Sequence, residues 1–426
     1  MKHRVVITGM GVISPIGNGL QAFSHGLFAG HCGIKGMPEL ADYGFRSQLG
    51  AVPEEDTHLT ELMQKYGTQK ASMVLNYALA AGLEAWESAG LNIPADFDGD
   101  ADPHTGALIG TGMGSVDSTA GHIVPNSRAD KKRKLRSTVI EQNMPNAPAA
   151  HLGMILGLGN RISASSSACA TGTEAIITAA ERIAEGKAHR MLAGGSEAFS
   201  PYSWIGFDVM RVLAQNKNEV PEMASCPLSS EASGFVPGAG AGILLLESMD
   251  SALERGADIL AEYGGGFVNS GGMRHGGSMT APSSVSVIAC LRAALSDAGV
   301  CPEEIDYING HLSSTMADVL EIENLSTALN LGNRDFPYIN SMKGQTGHCI
   351  GAGGAIETIA AILQMKQSKL AASVNSRPLH AGITKIIDEK CIPEQNMNIN
   401  INSLLKTSFG FGDVNACLVL KRSDFF

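Results

Sequence analysis

The 426-residue chain has 44% hydrophobic residues, 50 glycines, 5% aromatics and a formal net charge of −11. That balance argues against a disordered chain and against generic attraction to nucleic acid or an anionic membrane surface. The length exceeds one ordinary core, so two domains or two fused layers are expected, and eight cysteines without a C-x-x-C pair suit a reducing, cytoplasmic setting without a metal site.

In chain order, Val5 to Thr8 reads as a buried strand. Its basic, then apolar surroundings have features of a signal peptide, but Gly9, Gly11, Pro15 and Gly17 interrupt them, and no apolar run approaches the roughly 18 to 20 residues of a membrane span. An Ala-rich helix over 69–89 follows, then strands at Ala107 to Gly110 and Arg161 to Ser165, a helix over 170–185, and strands at His189 to Ala193 and Gly242 to Glu247. After residue 250 the pattern restarts, with strands at Ile259 to Tyr263, Ile305 to Ile308, Tyr338 to Ser341 and Asn415 to Lys421 and helices over 284–298 and 354–366. The fold class is therefore α/β, divided into halves 1–249 and 250–426. The segment beginning Gly172-Thr-Glu-Ala-Ile-Ile is echoed by Gly354-Ala-Ile-Glu-Thr-Ile, which suggests an internal duplication.

Chemistry concentrates beyond strand ends, where α/β sheets bind ligands. Cys169 lies where a β-like run meets an apolar helix, so unpaired N–H groups and the helix dipole should favour its thiolate and could hold an oxyanion. Gly186 is placed to end that helix. His311 follows the strand ending in Asn309-Gly310, and His348 sits in a glycine-rich turn five residues after Lys343. That turn lacks Walker spacing, the other glycine clusters lack a dinucleotide fingerprint, and Tyr66 with Lys70 matches a dehydrogenase pair too early in the chain. Lys406 to Asn415 reads as a glycine-rich turn between strands, from which the N–H of Phe409 could complete an oxyanion hole while its ring covers the thiol. Arg128, Lys131, Lys132, Arg133, Lys134 and Arg136, interrupted by Asp130, form the one strong basic cluster.

In order and spacing, Arg4 to Gly17, the Ser-Ala-Cys-Ala-Thr-Gly turn, Asn309-Gly-His, Lys343 to His348 and Ser408-Phe-Gly-Phe-Gly412 resemble the β-ketoacyl-acyl-carrier-protein synthases. The resemblance implies a thiolase-like fold, two duplicated α/β halves in an α-β-α-β-α core. It further implies a Cys-His-His elongating synthase: Cys169 stores an acyl group as a thioester, and His311 and His348 stabilise the enolate formed when malonyl-carrier protein loses carbon dioxide. Lys343 would support His348, Glu321 would be a supporting carboxylate, and Phe409 would gate the thiol. No cofactor is expected, since phosphopantetheine arrives on the carrier protein. The expected partners are that carrier, docking on Lys131, Lys132, Arg133 and Arg136, and a second copy of the chain or a homologous chain-length-factor-like chain.

Departures from the family pattern point to a specialised polyketide or polyene enzyme. Leu312 adds bulk beside His311, and the loop to Asp318 and Glu321 is one residue short. Ser229, Ala232 and Ala239 replace a charge network, and Asp413 replaces a turn glycine. Rival readings are housekeeping fatty-acid elongation, a non-catalytic chain-length partner, which would typically lack the cysteine, and a thiolase, which needs a second cysteine where Phe409 stands.

Overall fold

The computed structural model describes residues 3–96, 99–128, 130–332 and 335–423. Ten strands carry the fold: β1 Val5–Ser14, β2 Thr105–Gly110, β3 Ile162–Ser163, β4 Arg190–Glu197 and β5 Gly240–Ser248, then β6 Ala261–Ser270, β7 Tyr307–Asn309, β8 Tyr338–Asn340, β9 Ser403–Gly410 and β10 Val414–Lys421. Their order across the sheet is β8-β7-β9-β10-β6-β1-β5-β4-β2-β3. Read outward from the antiparallel β1–β6 seam, each half has the same sequence of neighbours: first strand, fifth, fourth, second, third. Parallel and antiparallel pairings match as well, so the duplication is present in the topology.

Helices repeat in step. α1 Met73–Ser88, α2 Ala147–Leu156 and α3 Thr171–Ala184 belong to the first half, and α4 Ser284–Ala298, α5 Ala317–Leu329 and α6 Ile350–Gln367 occupy the corresponding places in the second. Strand side chains alternate between faces. Leu244 and Leu246 of β5 join the central core with α3 and α6, while Ile243 and Leu245 turn to α1 and α2. In β10, Ala416, Leu418 and Leu420 face the central core, and Cys417 and Val419 face α4 and α5. Helices α3 and α6 thus lie between the two half-sheets, giving the layered α-β-α-β-α arrangement. Every residue of α6 from Ile350 to Met365 is buried, as a helix covered on all sides requires.

Two close approaches depend on glycine. A Cβ on Gly9 or Gly11 would lie 2.1 or 2.0 Å from the carbonyl oxygens of Ala85 and Ala81 in α1, so these residues keep β1 continuous to Ser14 rather than interrupting it. A Cβ on Gly172 would meet Ala355 N at 2.8 Å, and one on Gly354 would meet Thr173 Oγ1 at 2.3 Å. The two echoed segments are therefore the surfaces along which α3 and α6 touch.

The largest difference from the sequence reading lies near the C-terminus. Lys406 to Gly410 is not part of a turn: β9 runs to Gly410, and the turn is confined to Phe411–Asp413. Lys406, Thr407 and Ser408 are polar and yet fully buried, because each has a partner inside the molecule.

Candidate active site

After β3 the chain makes a tight turn at Ala168–Ala170 and enters α3, which ends before Gly186 at φ +73°. Ala168 has φ +50°, a conformation disfavoured for a residue with a Cβ, and the turn is pinned locally. Ser167 N–H donates to Thr171 Oγ1 at 2.8 Å, and the Thr171 hydroxyl donates to Ala168 O at 2.7 Å. From the other half, β9 presses on this turn: a Cβ on Gly410 would sit 2.5 Å from Ser167 O and 3.3 Å from Cys169 N. Phe411, just beyond β9, lines the same cavity as the thiol, and its backbone acts to lower the Cys169 pKa.

This shifts the expectation for Phe409: the backbone that acts on the thiol is that of Phe411, two residues on and past the end of β9, while Gly410 at the strand end packs against the Cys169 backbone. The Phe409 ring stands edge-on to His311, with centroids 5.9 Å apart, and packs with the outer C-terminal core, whereas Cys169 packs among Phe207, Phe235 and Ile350.

His348 precedes α6 much as Cys169 precedes α3, so the duplication sets a thiol and an imidazole at matching helix starts. His311 enters from the loop after β7. The two imidazoles lie 5.3 Å apart at 81°, and both line, with Cys169, one cavity of about 260 Å³. Burial, reinforced by Lys343, pulls the pKa of His348 down to about 3 and that of His311 well below the usual value, with His348 adding to the latter. Both rings are therefore neutral, each with one N–H donor and one lone pair. His348 Nδ1 is buried without a hydrogen-bond partner among the described residues.

Behind the histidines lies a buried ionic network that the sequence did not reveal. Lys343 Nζ is 2.5 Å from Glu357 Oε1 and donates at 2.5 Å to the His311 carbonyl oxygen. Lys406 Nζ is 2.7 Å from Glu357 Oε2 and also donates to Thr407 O. Burial alone would raise the Glu357 pKa, but the two ammonium groups hold it below the usual carboxylate value. Burial lowers Lys406 against the opposing pull of Glu357. Glu321 accepts from the N–H groups of His311 and Leu312 at 2.7 Å each and from the Thr407 hydroxyl at 3.0 Å; burial raises its pKa to about 7. His311 is thus held by its backbone at both ends, leaving the ring free for the cavity.

Two further expectations change. Burial pushes the Cys169 thiol up to about 12, against the lowering effects of Lys343 and the Phe411 N–H, so desolvation outweighs the helix start and the resting group is a thiol. Leu312, at φ +21°, is fully buried in the outer core with Ile322 and Leu325 rather than crowding the cavity. The shortened loop is tied down by Asp318, whose carboxylate accepts from the N–H groups of Ser313, Ser314 and Leu228. Glu197, also missed, accepts from Gly112, Met113 and Gly351 N–H groups and so joins the end of β4 to the start of α6. Asp413 holds φ +60° while its carboxylate accepts from Met273 and Ser283 N–H groups. Ser229 donates to Pro378 O, and Ala239 is fully buried. Lys131, Lys132, Arg133 and Arg136 are exposed and do not line the cavity.

Comparison with known proteins decides the family. The profile of the β-ketoacyl synthase N-terminal domain matches residues 2–252, and that of the C-terminal domain matches residues 260–377. The chain belongs to the β-ketoacyl synthases. It is 33% identical over 427 residues to 3-oxoacyl-[acyl-carrier-protein] synthase 2 of Vibrio harveyi, covering 99% of each chain. It is 34% identical to the chloroplastic 3-oxoacyl-[acyl-carrier-protein] synthase I of Arabidopsis thaliana, covering 97% of this chain and 86% of that one. Among solved structures, a β-ketoacyl synthase from Burkholderia phymatum superposes with a TM-score of 0.88 at 31% identity, covering 99% of this chain and 100% of the other. A type II PKS ketosynthase, bound to the hexaketide and in complex with its acyl-carrier protein, gives 0.86 at 29% identity with both chains fully covered. This β-ketoacyl synthase is an acyltransferase-class enzyme with the thiolase-like fold. Among the described residues, no helix is long and apolar enough to cross a membrane and no group of His, Cys, Asp and Glu is arranged to hold a metal ion.

Proposed function

We propose that the enzyme performs a decarboxylative Claisen condensation, with Cys169 as acyl acceptor and His311 and His348 as the groups that stabilise the enolate. The observation that carries this reading is the convergence of a thiol and two neutral imidazoles from three separate loops on one cavity. Because Cys169 rests as a thiol, its proton leaves as the sulfur attacks the acyl thioester, and a neutral imidazole of the same cavity can receive it. The tetrahedral oxyanion would lie at the start of α3, within reach of the Phe411 N–H and the Cys169 backbone N–H. Collapse breaks the bond between the acyl carbon and the sulfur of the carrier that delivered it, and that sulfur takes the proton from the imidazole and departs. In the second step, imidazole N–H groups bind the malonyl thioester oxygen as the bond to the carboxyl carbon breaks. Carbon dioxide leaves, the enolate carbon attacks the acyl-Cys169 carbonyl, and collapse of the tetrahedral intermediate breaks the Cys169 S–C bond; the released sulfur takes a proton from water and returns to the thiol. The product is a β-ketoacyl thioester two carbons longer.

The partner is an acyl carrier protein bearing phosphopantetheine, as the names of the relatives suggest. The exposed Lys131, Lys132, Arg133 and Arg136 supply a surface complementary to an acidic carrier. No resident cofactor is needed. The enzyme acts in polyketide or polyene assembly, a reading favoured by the ketosynthase bound to a hexaketide among its structural neighbours and by Ser229, Ala239 and Asp413. It works as a dimer, either of identical chains or with a chain-length-factor-like partner such as the one named for the ishigamide ketosynthase/chain length factor, a structural neighbour at 25% identity. Fatty-acid elongation is the second reading, favoured by the names of the relatives from Vibrio and Arabidopsis.

Mass spectrometry of carrier-bound products after incubation with malonyl-carrier protein and an acyl-carrier panel tests the proposal. A β-ketoacyl product is expected, with its yield across acyl groups separating the two pathway readings. Its absence under every acyl group, with any suitable partner chain present, would sink the condensation reading.

A further inference from the structure

Part of the cavity wall is not used by the condensation: Ala317, Leu320, Glu321 and Asn324, at helical spacing along α5, line it together with the exposed Met316 and with Val287 of α4. Asn324 is only 4% exposed, yet neither its Oδ1 nor its Nδ2 has a hydrogen-bond partner among the described residues, and neither is sealed in the core. Its carboxamide therefore opens onto the cavity with both donor and acceptor unused. Buried polar groups are normally satisfied, so an amide left open on the cavity wall points to an occupant that completes it. Val287 and Leu320 line the same wall, and the Asp318 and Glu321 carboxyls also line the cavity, so an anionic oxygen group is disfavoured there relative to a neutral one.

We propose that Asn324 is a specificity-determining residue of this enzyme: its carboxamide receives a neutral oxygen function, a carbonyl, hydroxyl or amide, carried by the thioester substrate. The proposal rests on the reading of Cys169 as acyl acceptor. Two parts of one substrate could carry the group, the acyl chain or the pantetheine arm, and they are separable. A chain oxygen helps only when that acyl group is present, whereas an arm amide helps whatever the acyl group.

The test compares kcat/KM for saturated, oxo- and hydroxyacyl thioesters of equal length, each on pantetheine and on the shorter N-acetylcysteamine, for the full chain and for Asn324→Leu. Loss of one neutral hydrogen bond predicts a roughly two- to tenfold fall in the preference for oxygenated over saturated acyl groups if the chain carries the function. If the arm carries it through its outer amide, which N-acetylcysteamine lacks, the same fall appears in the preference for pantetheine over N-acetylcysteamine; if through the inner amide, which both share, kcat/KM falls by that factor for every thioester alike. If Asn324→Leu does not fold, Asn324→Ala, which adds no bulk, serves for the same ratios. Both preferences and the absolute kcat/KM unchanged, with Cys169 still acylated, overturns the role of Asn324 alone. Failure of every thioester to acylate Cys169 overturns the functional reading and this inference with it.

Discussion

Cys169 combines a helix-start position with a thiol pushed up to about 12, so its thiolate fraction should climb through the whole working pH range. Alkylation of Cys169 by iodoacetamide, followed by mass spectrometry, is expected to accelerate with pH without a plateau below pH 9; a plateau near pH 7 would contradict the buried-thiol account. The histidines behave oppositely, since burial holds His348 down to about 3 and His311 well below its usual value, which keeps both rings neutral at neutral pH. Malonyl decarboxylation should accordingly lack an inflection near 6.5 that belongs to either ring. Folding carries the same sign: a His depressed to about 3 takes its proton more readily in the unfolded chain, so its contribution to stability is present above the unfolded value near 6.5 and declines as pH falls toward 3. Glu357 is the hub of the supporting charges. Glu357→Gln leaves Lys343 and Lys406 buried without their carboxylate and should cost roughly 3–5 kcal/mol in denaturant unfolding. Cys169, His311, His348 and Lys343 could be picked out of the sequence because each stands beside a strand end or a glycine turn. Glu357 and Lys406 could not, because a lone charge in an apolar helix or strand signals that a partner exists without saying which residue it is. Phe411 was missed for a related reason: two phenylalanines alternate with glycines, and only the position where β9 ends decides which backbone reaches the thiol.

At the scale of elements, apolar patterning located the long helices and most strands, and it misread the segments where polar or glycine residues are packed tightly. β9 looked like a turn because Lys406, Thr407 and Ser408 carry no apolar signal, yet Glu357, Glu321 and Thr173 satisfy them inside the core. β1 continued past Gly9 and Gly11 because α1 lies against their backbone. Gly11→Ala would set a Cβ 2.0 Å from the Ala81 oxygen and should cost at least about 2–3 kcal/mol. Gly36→Ala, which meets no atom within 4 Å, is the comparison and should stay within about 0.5 kcal/mol. Equal denaturation midpoints for the two variants would mean that α1 does not rest on β1 as described.

For the whole molecule, the duplication explains why the site exists. Two equivalent half-folds meet at β1 and β6, their third helices cross at Gly172 and Gly354, and the residues just before those helices, Cys169 and His348, are brought to one cavity. The repeat was visible in the sequence as a local echo; the strand order that makes it exact required the tertiary pairing. The basic surface belongs to this scale too. Replacing Lys131, Lys132, Arg133 and Arg136 with Ala should raise KM for a carrier-protein substrate several-fold more than KM for a small thioester, an effect that weakens as salt rises. Equal changes in both would remove this surface from docking. The most direct test of the account is the intact mass of the enzyme after incubation with acyl-carrier protein alone. One acyl group bound through Cys169, and none on Cys169→Ala, is the predicted result; an acyl adduct that persists in Cys169→Ala would contradict it.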